Sequence, residues 1–386
     1  MTKTWTFEIL PEGFEKDVEK SMESQALKEL HLIFFGKKRR LGVKNSSTDP
    51  ESEKMKSHRL KIFVSLALTA ALLFLFFRGV DLGKIREAIA GASPGWLGAS
   101  VVLGLLTFFL RAVRWTWILR PVARVPILPA FAATAAGFAA NNLPGKVGEV
   151  LRPYLLSRSR RLPFSPLLAS ILLERVFDGA SVIFFFLLAM SAGVTRSGGS
   201  VRIIAPAAVL ALVVAAVLFA VFRRTQTERI MELVWRRLPE RFQPRAKEFA
   251  VTFVDGFASL KSPGLLVSIV AGSLAMWLVI NVQIFFVLKA FALPLPLSAA
   301  YVVTAAAVLG LAVPTPGGLG SYQVAVQIAL TDVFSVSRTA ATSVALVAWA
   351  TSFVFVTVVG VGFLLFSFRS VHLRDVPEPG AGSPKE

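Results

Sequence analysis

The sequence has no cysteine and only three histidines among its 386 residues. Without cysteine there can be no disulfide framework, thiol nucleophile or thiolate metal site. His31, His58 and His372 all lie in polar end segments. That placement argues against a histidine-bound metal at membrane depth and against a Ser-His-Asp set, so no metal or cofactor is expected. No Walker pattern is present, and direct ATP hydrolysis is not indicated. The polar N-terminal stretch has no signal-peptide pattern. The apolar runs do not alternate in polarity, which excludes the strands of an outer-membrane barrel.

What remains is strongly apolar. Hydrophobic residues make up 54% of the chain, charged residues only 17%, and mean hydropathy is +0.64. This is too apolar for a soluble domain of this length and fits a polytopic helical membrane protein. The net charge of +18 comes largely from Lys and Arg placed between apolar spans. Cytoplasmic loops facing anionic lipid account for it; no nucleic-acid recognition motif accompanies it, and no nucleic-acid partner is expected.

The chain divides into a polar cytoplasmic segment at 1–58, a first membrane half at 59–192, an external loop at 193–202, a second half at 203–369 and a cytoplasmic tail at 370–386. Full spans are expected at about 60–77, 96–119, 166–192, 203–222, 265–292 and 340–368, with a short amphipathic piece at 82–90. A basic connector fills 223–263. Two pairs of short apolar runs, 127–157 and 298–333, are too short to cross a core of roughly 30 Å run by run and read as re-entrant hairpins. With the N-terminus inside, the basic groups fall on the cytoplasmic side and the 193–200 loop outside. The expectation is an all-α protein of about six full transmembrane helices plus two hairpins, arranged as two inverted halves in a cytoplasmic (inner) cell membrane, with both termini inside.

Each hairpin contains a Pro-Gly-x-x-Gly break: Pro144, Gly145 and Gly148 in the first, Pro316, Gly317 and Gly320 in the second. Backbone freed from a helix at membrane depth is tolerated only against protein or a water-filled cavity. Matched interruptions in two halves point to a substrate site at a repeat interface.

Three charged groups lie inside apolar sequence, where an ionised side chain costs at least about 2.5–3.5 kcal/mol on insertion scales. The first is Lys146, Glu149 and Arg152, spaced i, i+3 on one helical face after the break. Free N–H groups at that helix start favour an anion such as phosphate; the competing account is a Glu149–Arg152 pair that merely caps the hairpin. The second is Glu174, Arg175 and Asp178, which suit either a lining of the site or a structural ion-pair network reaching to Arg152 or Lys146. The third is Arg111 and Arg114 in Arg111-Ala112-Val113-Arg114-Trp115. Arginines near a span end ordinarily snorkel and Trp ordinarily sits at the interface; otherwise this pair attracts a lipid phosphate at the cytoplasmic mouth. The second break offers only Thr315, Ser321, Tyr322 and Gln323, so tight packing and ligand contact are both open there. A carboxylate-pair hydrolase using Glu149 and Glu174 is the enzymatic alternative; no acyltransferase domain, nucleotide motif or intramembrane His or Cys supports an enzyme.

The runs Asn142–Arg152, Glu174–Asp178 and Pro314–Gly320, together with Arg111–Trp115, resemble the membrane region of lysylphosphatidylglycerol synthases and their stand-alone flippase-like relatives, over about residues 60–370. The resemblance implies the lipid-flipping half without the domain that transfers lysine from tRNA. It implies an anionic phospholipid or a polyprenyl phosphate as the lipid partner, with a homo-oligomer or a lipid-modifying enzyme as further partners. The reading is a lipid translocase whose headgroup is bound by Arg111, Arg114, Asn142, Lys146, Glu149, Arg152, Glu174, Arg175 and Asp178. A secondary transporter of a small hydrophilic solute and a non-transporting enzyme partner are the alternatives.

Overall fold

The computed structural model describes residues 50–142, 147–193 and 257–372. The expected loop at 194–202, the span at 203–222, most of the basic connector, both polar ends, and Pro144, Gly145 and Lys146 lie outside those residues. The chain forms two compact units, 63–361 on one hand and 1–62 with 362–386 on the other. All the residues treated below as a site lie in the first.

Among the described residues every regular element is helical. Helix α1 (Pro50–Phe77) is followed by α2 (Leu82–Ala90), and the chain turns 81° between them. Asp81 caps α2 by accepting from the N–H groups of Gly83 (2.8 Å) and Lys84 (3.4 Å). Next come α3 (Pro94–Leu119), α4 (Ile127–Ala140), α5 (Gly148–Arg160) and α6 (Phe164–Ser191). Beyond 257 lie α7 (Pro263–Ala290), α8 (Leu297–Ala312), α9 (Ser321–Ile328), α10 (Arg338–Trp349) and α11 (Phe355–His372). A π-helical turn, Ala329–Val333, extends α9, and another, Ala350–Val354, joins α10 to α11.

Among the described residues three helical runs are long and apolar enough to cross a membrane: Pro94–Leu119, Pro263–Ala290 and Arg338–Phe363. The bent α1–α2 pair makes a fourth if it is one span. Helix α6 has 28 residues, about 42 Å of rise, but carries Glu174, Arg175 and Asp178 in mid-length. Helices α4 and α5 have 14 and 13 residues, about 20 Å each, and stop short of a full crossing. Phe63, Phe74, Val102, Leu187, Val267 and Val358 stand at least half exposed, a liability in water that lipid removes.

Helices α3 and α7 run antiparallel and touch along most of their length. Gly104 lies opposite Gln283, Arg114 opposite Ser273, and Trp117 opposite Gly272. A methyl group on Gly272 would come within 2.7 Å of the Trp117 ring. Each of the two helices then passes through a short extended segment ending in proline, Pro126 or Pro296, which starts the next short helix.

Each of the segments expected as a hairpin holds a pair of short helices packed backbone to backbone. In α4–α5, a methyl on Gly148 would lie 1.7 Å from the Gly137 carbonyl oxygen. In α8–α9, a methyl on Gly310 would lie 2.6 Å from the Ser321 carbonyl oxygen. Small residues at such contacts are how helices close up where no hydrophobic force draws them together. Between α8 and α9 the chain makes one 3-10 turn, Pro316–Gly318, with Gly317 at φ 57° and Gly320 at φ 81°, a region that favours glycine.

Candidate functional site

Helices α3, α5 and α6 bring the charged groups together around mid-length. Counting 1.5 Å per residue, Arg111 lies about 12 Å from the end of α3, and Glu174 about 15 Å from the adjoining start of α6. That common depth lets one acid serve several cations. Glu174 Oε1 pairs with Arg111 Nη1 at 3.1 Å and Arg114 Nη2 at 3.0 Å, and Glu174 Oε2 with Arg152 Nη1 at 2.7 Å. Asp178 takes Arg114 Nη1 at 2.7 Å, Arg111 Nη1 at 3.0 Å and an N–H from Trp277 at 3.1 Å. Arg114 also donates to Ser273 Oγ at 2.9 Å.

These five side chains are sealed. Arg114 and Glu174 are 0% exposed, Arg152 3%, Asp178 5% and Arg111 6%. Buried ions of this kind hold only when paired and hydrogen-bonded, and removing one partner costs several kcal/mol. The balance is nevertheless uneven: three buried guanidinium groups face two carboxylates. Arg175 adds a fourth cation at the edge, its side chain 39% exposed, 3.4 Å from Asp178 and 3.8 Å from Glu174.

Arg152 makes one ion pair, the fewest of the three buried arginines. Its guanidinium carbon lies over the Trp115 ring, 3.9 Å from the centroid, while Nε and Nη2 have no hydrogen-bond partner among the described residues. Trp115 is held in place by its own N–H bond to Ser170 Oγ at 2.9 Å. Arg111 similarly lies 5.0 Å from the Phe138 ring and leaves its Nε unpaired.

Some sequence expectations are corrected by this geometry. Arg111 and Arg114 do not snorkel; the acids of α6 draw them inward, and Trp115 is a fully buried platform rather than an interfacial anchor. Arg152 pairs with Glu174 and not with Glu149, for which no ion pair occurs among the described residues. Of the two accounts of Glu174 and Asp178, the network reaching to Arg152 is realised. Asn142 stands apart from the cluster: its Nδ2 donates to Thr357 Oγ1, and its Oδ1 faces Gly317. Ser273, Trp277 and Ser170 were not singled out in the sequence; a lone Ser or Trp in an apolar helix carries no signal until a charge is placed opposite it.

The second break has no ions. Ser65 Oγ donates to the Pro314 carbonyl (2.8 Å), Trp349 Nε1 to the Gly317 carbonyl (2.9 Å), and the Gly320 N–H to Gln323 Oε1 (2.7 Å). Thr315 and Ser321 hydroxyls bond each other at 2.8 Å. Side chains thus satisfy backbone groups that no helix pairs. Nearby, Gln283 Nε2 donates to Ser352 Oγ at 3.3 Å.

Long apolar helices, short paired helices and a buried ion network define a multi-pass membrane protein. The sequence model described as Lysylphosphatidylglycerol synthase TM region matches residues 62–360, and the chain belongs to that family. A UPF0104 membrane protein of Methanothermobacter thermautotrophicus is 34% identical over 129 residues, 32% of this chain and 36% of that protein. A UPF0104 membrane protein of the same organism is 26% identical over 281 residues, 68% of this chain and 82% of that protein. The glycosyltransferase AglD of Haloferax volcanii is 28% identical over 126 residues, 32% of this chain and 20% of its own length. The chain therefore spans about a third of the first of these relatives and a fifth of AglD.

Proposed function

We propose that the protein is a lipid translocase, moving an anionic phospholipid or a polyprenyl-phosphate-linked lipid between leaflets. The observation that carries this reading is the buried network with one guanidinium in excess and the unpartnered edge of Arg152. A phosphate monoanion would balance the charge and accept from Arg152 Nε and Nη2 in the bidentate manner that suits a guanidinium fork. Arg111 and Arg114 would share the load, while Glu174 and Asp178 hold the cations in register. Lys146 and Glu149 would meet the headgroup on its way in. The conformation described is a closed one, so the phosphate reaches Arg152 only when the packing around it opens.

The reading includes the finer architecture of two inverted halves with six full spans and two re-entrant hairpins in an inner cell membrane. The antiparallel α3–α7 pair supports it, since each helix leads through a proline-ended connector into a glycine-packed hairpin. Two such units related by a two-fold axis in the membrane plane place a shared site near mid-depth.

The test is purified protein in liposomes carrying fluorescent lipids of several headgroups, read by accessibility to an impermeant quencher. Lipid movement in the wild type, lost in Arg152→Ala and partly kept in Arg152→Lys while both variants stay folded by gel filtration, is the expected result. A folded wild type that moves none of these lipids would sink the proposal. A second reading has its own support: AglD, which shares a stretch of similarity, is by name a glycosyltransferase. Under it the protein is a non-transporting partner of an enzyme that modifies a lipid carrier, and co-purification with such an enzyme without lipid movement would favour it. Uptake of a small solute without lipid movement would favour a secondary transporter instead.

A further inference from the structure

We infer that the end of α4 and the tip of the second hairpin form one gate, shut against each other in this structure, with Asn142 as its latch. The inference rests on the translocation reading and concerns how the path opens rather than what it carries. Asn142 ends α4, the first helix of the first hairpin; Gly317 sits at the tip of the second. They meet: a methyl on Gly317 would lie 2.8 Å from Asn142 Oδ1 and 3.7 Å from Asn142 Cα.

One helical run holds both partners. Trp349, ending α10, donates its indole N–H to the Gly317 carbonyl at 2.9 Å. Thr357, early in α11, accepts from Asn142 Nδ2. Further along, Gly360 packs on the first hairpin, where a methyl would lie 2.4 Å from the Ala135 carbonyl oxygen. The π-helical turn Ala350–Val354 lies between these two attachment points. A π turn holds one residue more than an α turn, and a one-residue change of register corresponds to about 100° of rotation. The run can therefore keep its grip on one partner while turning away from the other. Asn142 then serves closure, and opening means that the end of α4 and Gly317 part from each other.

The natural absence of cysteine makes the test clean. The full-length double variant Asn142→Cys/Gly317→Cys is oxidised in liposomes, since position 317 lies directly against Asn142. Lipid movement should fall to the level of protein-free vesicles on oxidation and return on reduction. Because cysteine at Gly317 takes on a left-handed backbone, the pair Asn142→Cys/Thr357→Cys, with ordinary helical backbone at position 357, is run alongside. A disulfide confirmed by mass spectrometry with lipid movement unchanged would overturn the gate and leave translocation standing. If the wild type moves no lipid, translocation falls, and the gate is judged by labelling of the reduced Asn142→Cys/Gly317→Cys pair with an impermeant maleimide. Labelling should then accelerate when Trp349→Phe is added; an unchanged rate would overturn the gate as well.

Discussion

The helices α3–α6 and the helices α7–α11 handle the same problem, polar groups buried among apolar helices, with opposite chemistry. Around α3–α6 the solution is ionic: two carboxylates shared among three buried guanidinium groups. Around α7–α11 it is neutral: hydroxyls, amides and an indole closing on unwound backbone. The positions correspond. Laying Pro144 on Pro316 also lays Arg111 on Gln283, and Asp178 falls two residues from Ser352. The Arg111–Asp178 ion pair thus has a counterpart in the Gln283–Ser352 hydrogen bond. On the proposed inverted arrangement, strong anion affinity is confined to one face of the membrane. A substrate that must leave is better served by a weak second half than by two equal ion clusters.

This contrast can be broken or sharpened by substitution. The largest effect is expected for Glu174→Gln, which strips three arginines of their shared partner. A loss of about 3–5 kcal/mol should appear as a lowered unfolding temperature in detergent. Gly148→Ala should follow at about 1–3 kcal/mol, because its methyl meets a backbone carbonyl that cannot move aside. Gly98, with open space where a methyl would go, is the control: Gly98→Ala should leave the melting temperature unchanged or raise it. In the neutral half, Gln283→Leu should cost only about 1 kcal/mol, the net worth of one hydrogen bond. A loss matching that of Glu174→Gln would erase the distinction between the halves. The smallest effect belongs to Arg175→Gln, at about 0.2–1 kcal/mol, since its ion pairs are long and its side chain is partly exposed.

The acids of α6 were legible in the sequence because two carboxylates within one turn of an apolar run have no comfortable place in lipid. The short paired helices were legible from run length and from the two Pro-Gly breaks. Arg111 and Arg114 were not. Their position near the end of a span obeys the snorkelling rule as well as it obeys burial, and the acids that decide between the two lie 63 and 67 residues from Arg111. The contacts of Asn142 were illegible for the same reason. Asn142 and Thr357 are 215 residues apart, and nothing in the sequence around either names the other. Periodicity reports which face of a helix is polar; only the fold says what stands across from it.

The antiparallel seam between α3 and α7 constrains any motion of the two halves. Arg114 reaches across it to Ser273, and Trp117 lies against Gly272 with no room for a methyl. Prising the seam apart would leave a guanidinium group short of a partner in hydrocarbon. Pivoting about it, like the leaves of a hinge on a common pin, would keep every one of those contacts.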